Sequence, residues 1–291
     1  MYRQYNAQLL KKVQMTEKQI LEKFISICEK YNLRYFVVFG TLLGTVRHKG
    51  FIPWDDDVDV GMPREDYEKF LEVAQEECGE AYFLQTIDTD SKYHLYFAKL
   101  RMQGTEFVED TLQDAGSVSG FYIDIFPYDI IPDDEKEWQK HMKKAVFYGM
   151  LLSVNKVKEP QIARGNAFVN FGKSVIWALL HYGMKILAIK GNDVWKKCMQ
   201  AMTQYEHTKN KRLTTFSADA SKWIVYEEEI SEVLKVAFED IVVSVPKGYD
   251  AILKRNYGAY MQIPPEDKRV NHMPVKLRFL GEEEYVFSGE N

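Results

Sequence analysis

Hydrophobic positions change period several times along the chain, and each change marks an element. Ile20, Phe24, Ile27 and Tyr31 recur at helical spacing, and Thr16 with Gln19 reads as a capping box, which predicts a first helix. "RYFVVFG" is a continuous apolar run and predicts a short buried strand ending at Gly40. "TLLGTVRHKG" predicts a helix capped by Thr41 and stopped at Gly50. "DVDVGM" is the next strand, and "REDYEKFLEVAQEEC" an amphipathic helix with Tyr67, Phe70, Leu71 and Ala74 inward. "YFLQTI", "YFAKLRM", "TEFVE" and "GFYIDIFPYDII" read as further strands. Helical patterns then run from Pro132 to about Asn210, and a strand pair in "KVAFEDIVVSVP" and a helix in "GYDAILKRNYG" close the chain. This order predicts an α/β (α+β) protein: a mixed sheet flanked by helices in residues 1–132, and a largely helical region with closing strands in 133–291.

One strand carries too much charge for its surroundings. In "IPWDDDVDVGM", Asp55, Asp57 and Asp59 alternate with Asp56, Val58 and Val60, so as a strand the first three share one face and the valines the other. Carboxylates spaced about 6.5–7 Å apart repel by roughly 2–3 kcal/mol at an effective dielectric near 20. A divalent cation holding phosphate oxygens removes that cost. An EF-hand is excluded, because the positions that need Gly and Glu hold Val60 and Asp66. A solvated strand end is the competing reading, and Asp56, on the core-facing side, reads as a bystander.

Upstream, Gly40 lies where a strand meets a helix, and free amides there suit an anion. The spacing is not that of a Walker loop. Arg47 and His48 near the helix end could face phosphates or merely complement the helix dipole. Downstream, Asp124 interrupts an apolar strand and needs a partner, either a metal, a proton to accept, or an arginine. Asp129, after Pro127, reads as a turn residue. Lys99 and Arg101 share a strand face and could meet phosphate oxygens or surface acids.

Composition narrows the function classes. The net charge of −5 leaves no basic footprint for nucleic acid. Cys28, Cys78 and Cys198 have no metal spacing, which suggests reduced thiols in a cytoplasmic setting, and the start lacks the apolar core of a signal peptide. The apolar stretch from Phe168 to Lys190 is interrupted by Lys173, His181 and Lys185, and reads as a buried or surface-lying helix rather than a membrane span.

"FGTLLGTVRHKGFIPWDDDVDVGMPREDYEKF" resembles the signature of the LicD family, which includes phosphocholine transferases and is related to fukutin-type phospho-alditol transferases; "GFYIDIFPYD" and "NYGAYMQIPPEDKRVNH" resemble family text as well. The resemblance implies a nucleotidyltransferase-like catalytic core in 1–132, with 133–291 completing the acceptor side. It implies a Gly-Thr joint at Gly40 and Thr41, with Gly44, Arg47, His48, Lys99 and Arg101 toward the donor. It implies Asp57, Asp59 and Asp124 as ligands of Mg²⁺, or Mn²⁺, with no zinc. Asp124 or Asp55 would act as base. The implied reaction moves a phosphocholine-like group from a CDP-linked donor to a hydroxyl of a cell-surface glycan or its lipid-linked precursor and releases CMP. For a lipid-linked acceptor, the stretch around Val175 to Ile189 could rest on the inner membrane face, with Lys173 and Lys185 toward headgroups. Two rival readings remain: transfer of a nucleotide from an NTP to a small molecule or protein, and a non-catalytic module that binds nucleotide-sugars.

Overall fold

The computed structural model describes residues 5–109, 116–157, 167–216 and 220–287, the third stretch with side chains from 172 onward. Helix α1 (Ala7–Lys30) begins earlier than its sequence signal. Asn6 caps it, accepting from the Leu9 amide at 2.8 Å. Thr16 lies inside the helix and donates to the Lys12 carbonyl at 2.9 Å, so it is not the cap. The apolar stripe already runs back through Val13, Leu10 and Leu9, and that longer face decides where the helix starts.

Strand β1 (Phe36–Val37) is short, and α2 (Phe39–His48) opens two residues before Thr41, with Val38 at its cap position. Lys49, in the left-handed conformation at φ 59°, ends α2 in place of Gly50. The acidic strand is shorter than its pattern suggests: β2 spans Asp59–Pro63, and residues 55–58 form the irregular lead-in. α3 (Arg64–Glu77) buries Tyr67, Phe70 and Ala74 and leaves Leu71 half-buried.

The strands β3 (Tyr82–Gln85), β4 (Ala98–Met102), β5 (Glu106–Val108) and β6 (Tyr122–Ile131) follow. The main sheet has the order β1-β2-β6-β4-β3, extended by β7 (Arg212–Thr214) on β6 and β8 (Val225–Tyr226) on β7. β6 runs parallel to β2 and antiparallel to β4 and β7. The sheet is therefore mixed, and the architecture is α+β. Phe24 of α1 meets Phe70 of α3 with ring centroids 5.0 Å apart, and this cluster packs with the sheet residues Val60, Met62, Leu100 and Ile125 in one core.

Helices α4 (Glu135–Lys156), α5 (Ala167–Ile186) and α6 (Gly191–Met202) form a separate layer. Strands then resume: after the short α7 (Glu227–Ile230), β9 (Val233–Phe238) and β10 (Ile241–Pro246) make a hairpin, and α8 (Tyr249–Tyr257) follows. Finally β11 (Lys276–Arg278) and β12 (Glu284–Val286) join β5 in a three-stranded sheet. Leu277, Phe279, Val243 and Leu253 enter the same core as α1 and β2, so the end of the chain packs on its beginning.

Asp129 is a strand residue and not a turn residue. It is buried in β6 and receives a bidentate pair from Arg64, Nε to Oδ1 at 2.6 Å and Nη2 to Oδ2 at 2.8 Å. Removing one partner strands a buried charge, which costs about 3–5 kcal/mol. Arg64→Ala is therefore expected to lower the urea unfolding free energy by about that amount, whereas the double change R64M/D129L should recover most of it. A loss below about 1 kcal/mol in R64A would show that the pair does not anchor α3 to β6.

Candidate active site

Two glycines let the acidic segment cross α2. A Cβ on Gly44 would come within 2.5 Å of the Gly50 carbonyl oxygen, and one on Gly40 within 2.9 Å of the Asp55 carboxylate. Gly40 and Gly44 lie one helical turn apart, so the chain from Gly50 to Asp55 passes along that face and brings Asp55 to the amino end of α2. Phe39, in the left-handed conformation at φ 50°, opens the helix there, and its ring packs on Phe126 at 5.1 Å and Trp223 at 4.4 Å.

Beyond Asp55 the segment is pinned from several sides. Gln14 of α1 donates to the Asp55 carbonyl at 2.8 Å. Asp56 is buried and accepts from the Tyr5 hydroxyl and from the His272 amide, each at 2.6 Å. Read from sequence as a bystander, Asp56 instead ties both ends of the chain to the acidic segment. The Thr41 hydroxyl accepts from the Asp59 amide at 2.8 Å, so Thr41 sets where β2 begins.

Asp59 and Asp124 are register partners on the parallel pair β2–β6, which puts both side chains on one face of the sheet. Asp55, Asp57 and His272 converge beside them, each offering a ligand atom within 4.8 Å of the others. His272 Nδ1 lies 3.3 Å from Asp57 Oδ2. Lys99, the register partner of Asp124 on β4, pairs with its Oδ1 at 2.9 Å.

The acids outnumber their counter-charges. Withdrawal from water, with Asp56 and Asp124 nearby, pushes the Asp57 carboxyl up to about 6 against the pull of His272 and Lys99. Burial, and then Asp57, raise Asp55 and Asp59 well above the carboxylate range. The hydrogen bond to Asp56 and the neighbouring carboxylates raise His272 to about 10 despite desolvation, so its imidazolium is part of the cluster's balance at neutral pH. Carboxylates at this density, balanced by one histidine and one lysine, are a donor set that suits a divalent cation. Among the described residues Asp55, Asp57 and His272 are the group whose ligand atoms converge, and the imidazole, once a cation displaces its proton, is a donor that Mn²⁺ accepts. Asp59 and Asp124, expected from sequence as ligands with Asp57, lie beside that group and offer oxygen alone, as Mg²⁺ prefers.

Basic residues read as donor contacts already have partners. Arg47 donates to the carbonyls of Tyr260 at 2.8 Å and Gln262 at 3.2 Å, and its Nε reaches His48 Nε2 at 2.8 Å. Arg101 is buried between the Gln85 side chain and the Gly120 carbonyl, both at 2.6 Å, with its guanidinium 4.7 Å from the Tyr122 ring centroid. Lys99 lies over the same ring at 3.4 Å. These side chains fix the walls of the site.

Several contributors were not among the site residues expected from sequence. His272 reaches Asp57 from the other end of the chain. Glu17 of α1 is buried under the acids, and its Oε2 has no hydrogen-bond partner among the described residues. Tyr257 of α8 senses Asp59, Asp55 and Asp57, and its ring lies 5.7 Å from that of Trp223.

A mixed sheet with carboxylates on adjacent strands beside a helix amino end defines a nucleotidyltransferase-like class of site. Residues 32–153 match the family model described as "LicD/FKTN/FKRP, nucleotidyltransferase domain". The lipopolysaccharide cholinephosphotransferase LicD of Haemophilus influenzae is 30% identical over 272 residues, covering 90% of this chain and 97% of that protein. The human ribitol 5-phosphate transferase FKRP is 38% identical over 55 residues, 19% of this chain and 11% of that protein. An uncharacterized protein of Rickettsia typhi is 42% identical over 55 residues, 19% of this chain and 18% of its own length. The chain belongs to the LicD family and is a transferase of that type.

Burial holds Glu17 protonated well above its ordinary value of 4.5, with Asp56, Asp57, Asp55 and Asp59 adding to the effect. A raised carboxyl costs nothing below its unfolded-state pKa and opposes folding increasingly as pH rises toward the folded value. Glu17→Gln is therefore expected to stabilise the fold more at pH 7.5 than at pH 4.5. Paired denaturant titrations at the two pH values test this; a pH-independent effect would show Glu17 to be ionised in the fold.

Proposed function

We propose that the chain transfers a phospho-alcohol group, phosphocholine or a close analogue, from a CDP-linked donor to a hydroxyl of a cell-surface glycan or its lipid-linked precursor, releasing CMP. The observation that supports this most is the meeting of Asp55, Asp57 and His272 at the amino end of α2, beside the paired Asp59 and Asp124, in a chain related along nearly its whole length to a cholinephosphotransferase.

Asp57 would be the central ligand, with Asp55 and His272 converging on it and Asp59 and Asp124 beside it on the sheet. Bound there, Mg²⁺ or Mn²⁺ would offset the charge of the donor's diphosphate. The acceptor oxygen forms a bond to the phosphorus that carries the alcohol, the bond from that phosphorus to CMP breaks, and CMP leaves with the electron pair. The hydroxyl proton passes to a carboxylate. We assign it to Asp55, whose carboxyl the bound cation would ionise and which burial and Asp57 then make the stronger base, because Asp124 is held on Lys99. The free amides at the start of α2 suit the donor's phosphate oxygens.

A trimethylammonium group needs aromatic faces. Trp54 already carries the Arg269 guanidinium 4.6 Å from its ring centroid. Trp223 and Tyr257 have a more distant cation, Lys222 Nζ at 5.5 and 5.8 Å from their ring centroids, and, linked through Phe39 to the helix end that meets Asp55, are better placed to receive it.

With purified protein, Mg²⁺ or Mn²⁺, a CDP-alcohol panel and acceptor, CMP release is the expected product signal. Asp57→Asn and Asp59→Asn should each lower it by at least about 100-fold, the order expected when charge stabilisation at phosphorus is lost, with melting temperature not lowered. Trp223→Ala should raise KM about tenfold for CDP-choline and leave KM for CDP-ribitol unchanged. Pyrophosphate release from an NTP, without CMP from any CDP-alcohol, would favour the nucleotidyltransferase reading instead.

A further inference from the structure

The helical layer has a charge and a surface unlike the rest of the chain. The described residues between 138 and 192 hold seven lysines and no acid, flanked by Glu135 and Glu137 at the start of α4 and Asp193 in α6, in a chain whose totals are 38 basic and 43 acidic. Sequence left α5 open between a core helix and a surface-lying one, and the structure resolves this by dividing it lengthwise; the side chains of Phe168 to Phe171 lie outside the described residues. On its inner side, His181 Nδ1 bonds the Val154 carbonyl at 2.7 Å, Trp177 donates to the Val157 carbonyl at 2.9 Å, and Met184 is buried. On its outer side, Ile176 is 61% exposed, Leu179 69% and Ile186 84%, with Leu187 just beyond at 73%. Lys173, Lys185 and Lys190 are exposed along the same helix and its end, and no acid interrupts them.

Helix α4 continues this surface. Phe147, Val146 and Met150 are exposed, and Met150 lines one depression together with Trp177 of α5. From Met150 an apolar trough of about 430 Å³ runs inward past Val146, Gly149, Tyr96 and Phe97 to Phe126. The Phe126 ring packs on Phe39 at the amino end of α2, and the Phe97 ring centroid lies 6.0 Å from Lys99 Nζ, the partner of Asp124. The apolar surface is thus continuous with the wall of the acidic site.

Exposed aliphatic side chains of this number form a patch beyond what a soluble surface ordinarily carries. No helix among the described residues is long and apolar enough to cross a membrane. An apolar face edged with lysines is the pattern of a helix lying in the plane of an anionic bilayer, its aliphatic side chains at the acyl boundary and its ammonium groups among headgroups. A second copy of this chain would bring two such lysine sets into opposition, which disfavours self-association.

We propose that the α4–α5 face docks on an anionic lipid surface, and that the trough between α4 and the Tyr96–Phe97 segment leads from that surface to the acidic site. Docking rests on the surface itself and not on which group is transferred. The acceptor route, which deepens the transferase reading, follows from it.

Flotation of the full chain tests this, with vesicles of phosphatidylcholine alone and vesicles that also contain phosphatidylglycerol. The wild-type chain should float with the anionic vesicles and not with the neutral ones, and added salt should weaken binding. K173E/K185E should lower binding by more than about 25-fold, near fivefold for each lysine removed. L179Q/I186Q should lower it at least tenfold, while V242Q, an exposed position on the remote β10, leaves it unchanged. Circular dichroism and melting temperature confirm that each variant is folded. CMP release from water-soluble donor and acceptor should be unchanged in all three variants, so a failure of docking and a failure of the chemistry are read separately. Absence of wild-type flotation, or flotation insensitive to both double changes, overturns the proposal. A dimer in sedimentation velocity that L179Q/I186Q dissolves, without vesicle binding, also overturns it and assigns the face to a second copy.

Discussion

Like charges held together against their repulsion are the constraint around which this chain is built. Asp55, Asp56, Asp57, Asp59 and Asp124 crowd one end of a mixed sheet, and the fold spends its polar contacts on keeping them there. Asp56 takes two hydrogen bonds from residues near opposite ends of the chain, Lys99 balances Asp124, and His272 lies against Asp57. Carboxyl pKa values displaced upward are the signature of that crowding, and they concentrate where chemistry is proposed.

Packing serves the same end. Glycines at 40 and 44 let the acidic lead-in lie directly on α2, and Thr41 fixes the first residue of β2 through its hydroxyl. Arg47 and Arg101, read from sequence as donor contacts, hold backbone carbonyls: those of Tyr260 and Gln262 after α8, and that of Gly120 before β6. The aromatic side of the site, Phe39, Trp223 and Tyr257, comes from three separate stretches of chain.

Much of this was legible in sequence because the elements near the site are short and strongly patterned. Val58, Val60 and Met62 are buried as alternation predicts, and Asp124 lies beside Asp59 as its register partner on the parallel strand. Helix starts were less legible. Thr16 and Thr41 look like caps but bond elsewhere, because local capping signals compete with apolar faces that extend further. Glu17 and Tyr5 carried no signal, and His272 stood only as the last residue of a family-like segment with no role attached: each acts across a large sequence separation. The outward side of α5 was ambiguous for a different reason, since an apolar helix interrupted by two lysines and a histidine reads alike whether buried or lying on a surface.

The proposed transfer depends on a divalent cation held at Asp57. Diffraction at the manganese edge, from crystals grown with Mn²⁺ and CMP, tests this most directly. An anomalous peak within coordination distance of the Asp57 carboxylate, bridged to a phosphate oxygen, is expected. A peak bound elsewhere, or none while Asp57 stays paired to His272, would contradict it.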